Sequence, residues 1–211
     1  MNLFNNLISG GVYMDKLRRV VGLLLIVLGI TIIATVVYKK VETMRKQKAI
    51  VEVFESGISE GTSSDGEEKV NLDEINGYTP IAMMEIPSIN LSQALVEGIS
   101  DDVLKYFLGH FTDSAQPGQK GNFAVAGHRV SDYTDAFINL YKVKVGDEVI
   151  VKTHDKKYTY VVEDNFIVEP EDVYVLDDTK EATMTLVTCT VGAKQRVIVK
   201  GKLISEETLS S

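Results

Sequence analysis

The sequence predicts a mainly β protein, a compact barrel of seven or eight short strands with two small helices, preceded by one N-terminal transmembrane helix. Three observations predict it. From about Gly77 onward, β-branched and aromatic runs alternate with Gly, Asp, Asn and Lys turn residues, the pattern of short strands joined by tight connections. Within that region only Asp101–Tyr106 and Tyr133–Leu140 read as helices. Ahead of it, Val20 to Tyr38 is a 19-residue stretch without a charge, bounded by Lys16, Arg18 and Arg19 before and by Lys39 and Lys40 after.

Taken in order, residues 1–19 form a short cytoplasmic N-terminus. Met14 is followed by Asp15, Lys16, Leu17, Arg18 and Arg19, the basic prelude of a signal anchor, whereas Met1 to Tyr13 carries no charge. Met14 is therefore an alternative start. Residues 20–38 are the anchor, because at 1.5 Å rise per residue they reach roughly 28 Å, the thickness of a bilayer core, and no small-x-small cleavage site follows Val37. Basic residues flank both ends, so the positive-inside count does not orient it. A single N-terminal anchor with a long following domain most simply leaves the start in the cytoplasm and the domain outside. Residues 39–76 begin as a juxtamembrane stretch that continues the helix to about Phe54. They then become the Gly, Ser and acid mixture Ser56 to Lys69, a flexible tether with too little apolar surface to order itself.

Residues 77–206 form the folded domain. Ile81–Ile86, Gln93–Val96, Asn122–Ala126, Glu148–Thr153, Tyr158–Ile167, Ala182–Cys189 and Arg196–Ile204 read as strands, with turns at Gly146-Asp147 and His154–Lys157. Residues 207–211 are a polar tail. A net charge of −8 argues against a nucleic-acid-binding surface. A single cysteine excludes an internal disulfide, so the core alone holds the domain.

That cysteine ends the run Thr185-Leu186-Val187-Thr188-Cys189, and Arg196 follows seven residues on. A thiol at a strand end can face a groove while its strand neighbours stay in the core, and a thiolate is a strong nucleophile. His128 ends a second apolar strand, Phe123-Ala124-Val125-Ala126-Gly127-His128-Arg129, and an imidazole is the group that exchanges a proton with a thiol. Arg196 can supply fixed positive charge to an oxyanion. The alternative is that Cys189 is a small buried hydrophobe. His110 and His154 read as a packing and a solvated histidine, with no spacing that groups them as metal ligands. Asp113, Asp132 and Asp135 could orient His128, or serve turns and helix caps. The acid-rich run from Glu163 to Asp178 reads as solvated surface, with electrostatic steering of a cationic amine as the alternative.

Three segments carry a resemblance to the sortases, the membrane-anchored cysteine transpeptidases of Gram-positive bacteria. Pro117 to Arg129 resembles the family's strand leading into its catalytic histidine. Thr185 to Cys189 is similar to its TLxTC motif, and Arg196 to the arginine of the next strand. Glu169 to Leu176 is similar to its substrate-binding loop. The resemblance spans roughly Ile81 to Ile204.

It implies an eight-stranded barrel that cuts an LPxTG-type sorting signal between Thr and Gly through a thioester on Cys189, with His128 and Arg196 as the other catalytic residues. Ala126, Val173, Val175, Leu176 and Thr188 would bind the signal; core packing is the alternative for the first four. The implied partners are surface proteins bearing such a signal, a cell-wall precursor amine and the membrane, with the catalytic domain extracellular and no cofactor. Phe111 to Asn122 holds one acid, Asp113, which does not match the calcium-binding cluster of some class A members. The missing lid motif and the polar C-terminus do not match class C. Class A or class D fits. An inactive anchored scaffold barrel and a mainly hydrolytic peptidase are the other readings.

Overall fold

The computed structural model describes residues 2–59, 77–131, 133–134 and 136–209. The linker expected between the anchor and the domain lies, from residue 60 to 76, outside the described residues. The chain divides into two compact units, Met1–Glu42 and Thr43–Ser211.

Helix α1 (Asn2–Ser59) opens the chain. Its segment Lys16–Lys48 is, among the described residues, the one helix long and apolar enough to cross a membrane, and none of its most apolar window is buried. Leu23, Leu24, Ile26 and Ile33 are each more than 60% exposed. The hydroxyls of Thr31 and Thr35 donate back to Val27 O (2.9 Å) and Ile32 O (2.7 Å), which pairs both within the helix. One N-terminal apolar helix of this kind is compatible with a membrane anchor.

The second unit is a closed barrel. Its strands are β1 (Pro80–Ile86), β2 (Leu91–Glu97), β3 (Leu108–His110), β4 (Gly121–Ala126), β5 (Glu148–Lys152), β6 (Lys156–Val168), β7 (Ala182–Cys189) and β8 (Arg196–Thr208), with one short helix, α2 (Asp101–Tyr106). The order around the barrel is β1-β2-β3-β4-β7-β8-β6-β5, closed by β1 pairing with β5. β2/β3 and β4/β7 are parallel and the remaining pairs antiparallel. Closure leaves no long unpaired edge. α2 forms where Ser100 caps it, its hydroxyl accepting from Val103 N at 3.3 Å, with Asp101 and Asp102 in the first turn.

Met84, Leu95, Leu108, Phe123, Val125, Phe137, Tyr160, Met184, Leu186 and Val199 fill the barrel at zero exposure. The alternation of each strand supplies them: in β4 Phe123 and Val125 point inward, in β7 Met184 and Leu186, and their neighbours point out. Within the same unit, Lys46 of α1 sits 3.9 Å from the centroid of the Tyr106 ring, and Gln47 Nε2 donates to Tyr106 O at 2.7 Å.

Two elements depart from the sequence expectation. β3 was not foreseen, since three residues of Leu-Gly-His carry no periodicity. The helix expected at Tyr133–Leu140 is a set of turns followed by a 3-10 turn at Leu140–Lys142. Its carbonyls find partners outside a helical ladder: Asn165 Nδ2 donates to Leu140 O (3.4 Å) and Val143 O (2.7 Å). On the amide side, Ser131 Oγ takes Tyr133 N and Thr134 N, and Phe137 N donates to His128 O. β8 runs on through Thr208, where its end pairs with Lys156 of β6.

Candidate active site

β7 sits between β4 and β8, and its last residue lies opposite the first residue of β8: Cys189 pairs with Arg196. β4 runs parallel to β7 with Ala126 beside Val187, and the contact continues beyond the strand as Gly127 N donates to Val187 O at 3.1 Å. Thr188 Oγ1 donates to Gly127 O at 2.8 Å in a fully enclosed setting. Thr188 precedes Cys189 and Gly127 precedes His128, so this bond ties the ends of the two strands that carry the candidate residues. Glycine is required at 127, because a Cβ there would stand 2.6 Å from both Leu108 Cδ2 and Phe137 Cδ2.

The same alternation that sends Phe123, Val125, Met184 and Leu186 inward turns Asn122, Ala124, Ala126, Thr185, Val187, Cys189, Arg196 and Ile198 to the outer face. The β6–β7 connection crosses this face. Its 3-10 turn Val173–Leu176 packs Val175 against Val168 and Ile198, with Leu176, Phe166 and Val187 around them.

Cys189, partly exposed, and His128 line one cavity of about 470 Å³, together with Arg129, Val130, Thr190, Val191, Gly192 and Ala193. Thiol and imidazole are therefore brought together. Arg196 lies on the neighbouring strand, where its Nη1 donates to Ala193 O and Gln195 O, both at 3.3 Å. The loop that supplies these carbonyls turns through left-handed backbone at Gly192 (φ 78°) and Ala193 (φ 57°). Of the expected pocket residues, Ala126 is partly exposed, Val173 is two-thirds exposed, and Leu176 is partly buried. Val175 and Thr188 are buried, at 4% and 3% exposure. None of these five is among the residues that line the cavity.

Among the described residues no carboxylate is bonded to the His128 ring. Asp113 is exposed in the β3–β4 loop, and Asp132 and Asp135 lie outside the described residues. His154 is exposed. His110 is fully buried, with Nδ1 3.0 and 3.2 Å from the Glu97 carboxylate oxygens and Nε2 3.0 Å from both Ala115 O and Ser114 Oγ. It ties β2, β3 and the β3–β4 loop together, away from the cavity.

Sequence reasoning missed the cavity's second wall, Thr190 to Ala193, and two fastenings of the β6–β7 connection. At one end Gln195 Nε2 donates to Glu169 Oε1 at 2.7 Å. At the other the Asn122 amide holds the backbone of Val175 and Asp177. The Gly121-Asn122 pair opening the histidine strand was the available signal, since Asn at the start of an otherwise apolar strand needs buried partners.

A closed eight-stranded barrel with a cysteine, a histidine and an arginine at one end defines the class of protein. The sortase domain family model matches residues 84–204. This chain belongs to the sortase family. It is 27% identical to sortase D of Bacillus subtilis over 90% of this chain and 100% of that one. To sortase SrtE1 of Streptomyces coelicolor it is 31% identical over 61% of this chain and 42% of the other. Among solved structures, a Clostridium perfringens sortase D5 transpeptidase superposes with a TM-score of 0.62 at 37% identity, covering 80% of this chain and 99% of that one. Sortase E from Streptomyces avermitilis gives 0.58 at 36%, over 62% and 91%. The chain spans about half the length of several curated relatives it matches. A class A or class D type is compatible with this set.

Proposed function

We propose that this chain is a membrane-anchored transpeptidase that cuts an LPxTG-like sorting signal between Thr and Gly and joins the upstream protein to a cell-wall amine. The observation that carries the reading is the shared cavity of Cys189 and His128, with Arg196 opposite Cys189 on the adjacent strand.

The Cys189 thiolate attacks the threonine carbonyl, and charge moves onto its oxygen, which Arg196 meets with a guanidinium hydrogen bond in place of those it makes to Ala193 and Gln195. The C–N bond breaks, His128 delivers a proton to the departing glycine amine, and a thioester remains on Cys189. An incoming amine then attacks the thioester, gives its proton to His128 and forms the new amide as the thiolate leaves. The outer face of β4 and β7 supplies the groove, with Ala126 at its floor and Val173 and Leu176 in its wall, while the buried Val175 and Thr188 support it from beneath. The N-terminal helix holds the domain on the outer side of a cell membrane as a single-pass protein, facing surface proteins that carry the signal.

The test is mass spectrometry of the full chain in detergent with an LPxTG-type peptide and triglycine, beside Cys189→Ala. A Cys189-dependent peptide joined to triglycine supports the reading. Cleavage with only water as acceptor assigns a hydrolase, and no cleavage across a broad peptide set by folded, reduced protein assigns an inactive barrel.

A further inference from the structure

We propose that Asn122 is the positioning residue that sets the β6–β7 segment as a wall of the substrate groove, and through it the affinity for the extended peptide. This rests on the transpeptidase reading for its substrate, but its structural basis is separate.

Asn122 is 2% exposed, and its side-chain oxygen and both amide hydrogens are engaged. Nδ2 donates to Val175 O and to Asp177 O, each at 3.2 Å, and Oδ1 accepts from Thr185 Oγ1 at 2.8 Å. Its backbone N–H donates to Asp178 Oδ1 at 3.2 Å, and that same oxygen accepts Thr179 N at 2.9 Å. The side chain thus holds two residues of a segment more than 50 positions away, Val175 and Asp177, and the backbone N–H of the same residue holds a third, Asp178. Thr185 Oγ1 also donates to Val175 O at 3.3 Å, Thr179 Oγ1 meets Glu181 O and Thr183 Oγ1 at 2.8 Å, and Val175 packs against Val168 and Ile198. Glu169, Pro170, Glu171, Val173, Tyr174, Asp177 and Asp178 are exposed, and Val175 is the one buried side chain of the stretch. Its Glu169 end is fastened only by the exposed bond to Gln195.

The geometry makes the fastening a matter of substrate binding. Asn122 and Ala126 lie on the outer face of β4, and Thr185 and Cys189 on the outer face of β7. The segment held at Asn122 therefore crosses the same face on which Cys189 presents its thiol. Loosening it moves the exposed Val173 and Tyr174 relative to any peptide laid along that face. It leaves the Thr188–Gly127 bond that relates Cys189 to His128 intact.

The experiment uses the full chain in detergent. Asn122→Asp is nearly isosteric and turns two donors into an oxygen facing the carbonyls of Val175 and Asp177. Asn122→Ala removes the donors without adding charge. Asp178→Ala loosens the same fastening from its exposed side, where folding is safe. Thr185→Val removes the hydroxyl that donates both to Asn122 Oδ1 and, at 3.3 Å, to Val175 O, so it loosens the segment while leaving both Nδ2 bonds. We expect KM for the sorting peptide to rise about tenfold in the Asn122 variants and about threefold in Asp178→Ala and Thr185→Val, with kcat within about threefold throughout. The rate of Cys189 alkylation by a small neutral reagent stays unchanged, and amide exchange at residues 172–179 accelerates while the β4 and β7 amides stay protected. Unchanged exchange at 172–179 in the Asn122 and Asp178 variants overturns the proposal even if no peptide proves to be a substrate. Faster exchange with KM unchanged, or a fall in kcat as large as the rise in KM in the Asn122 variants, overturns it as well. Failure of the wild type to turn over any peptide sinks the transpeptidase reading instead.

Discussion

Replacing Thr188 by Val probes the link between the two functional strand ends. Valine matches threonine in shape, so the change deletes one hydroxyl and leaves the packing in place. That hydroxyl is 2.8 Å from Gly127 O inside a position 3% exposed, with no room for water to substitute. A buried carbonyl stripped of its donor costs about 1–3 kcal/mol. At about 2–4 °C per kcal/mol for a unit of this size, Tm falls by about 2–12 °C. Gly127 also loses one of its two bonds to β7, the other being its N–H to Val187 O, and His128 is then held through that bond and through its own carbonyl, which accepts from Phe137 N. A small displacement of a proton-transfer group lowers kcat by about tenfold or more. The assay is thermal unfolding of the full chain in detergent together with steady-state transpeptidation, with Thr188→Ser beside it. Serine keeps the donor, so it should recover most of kcat while losing some stability with its methyl group. A Thr188→Val protein that melts within about 1 °C of wild type at unchanged kcat refutes the reasoning, and so does a serine variant no better than valine.

Burial pushes the Tyr160 phenol up to about 12, against the hydrogen bond it accepts from Gly118 N at 2.7 Å. A folded pKa above the unfolded one means that stability is full below about pH 10 and is lost as pH rises toward 12, by about 1.4 kcal/mol per unit. Tyr160→Phe should cost about 1 kcal/mol at neutral pH, by orphaning Gly118 N, and flatten the alkaline fall. Burial raises Tyr158 too, so some slope persists, and an undiminished slope in urea unfolding between pH 9 and about 12 contradicts the assignment. Gly127→Ala places a Cβ 2.6 Å from Leu108 and Phe137, and should destabilise by about 1–3 kcal/mol and slow turnover, with a wild-type melting curve as the contrary result. Leu24→Lys combined with Ile26→Lys puts two charges into the exposed apolar face of α1, at about 2.5–3.5 kcal/mol each, and should move the full chain out of the membrane fraction. Retention there after carbonate washing counts against α1 as the anchor.

The features legible in the sequence are those written over short spans. A strand that ends in cysteine, a strand that ends in histidine and an arginine at the head of the next strand need only period-two alternation to be placed on one face. The structure sets Cys189 opposite Arg196 with His128 at the same cavity. What the sequence hides depends on partners far along the chain. Asn122 reads as an ordinary strand residue until Val175, Asp177 and Thr185 are brought to it. Val173 and Val175 look alike as alternating apolar residues. In a 3-10 turn, with three residues per turn, positions two apart no longer share a side, and one is exposed while the other is core. The turns after Ser131 stayed hidden for a related reason, since the Ser131 hydroxyl takes the amides of Tyr133 and Thr134 and the His128 carbonyl takes that of Phe137.

Adjacent residues of β7 separate stability from chemistry. Met184 and Leu186 fill the barrel, while Val187 and Cys189 face outward, so removing the Cys189 thiol should leave the core untouched. Thr188 breaks this division. It points toward the enclosed side yet spends its hydroxyl on the carbonyl of the residue before His128, so a core position sets the distance between two outward-facing groups. The barrel can then tolerate changes in the exposed Val173 and Tyr174, which alter what a peptide touches, without disturbing how Cys189 meets His128. On the proposed function, substitutions in the β6–β7 segment and at Asn122 should change the preferred peptide, and those at Thr188 and Gly127 the chemical step.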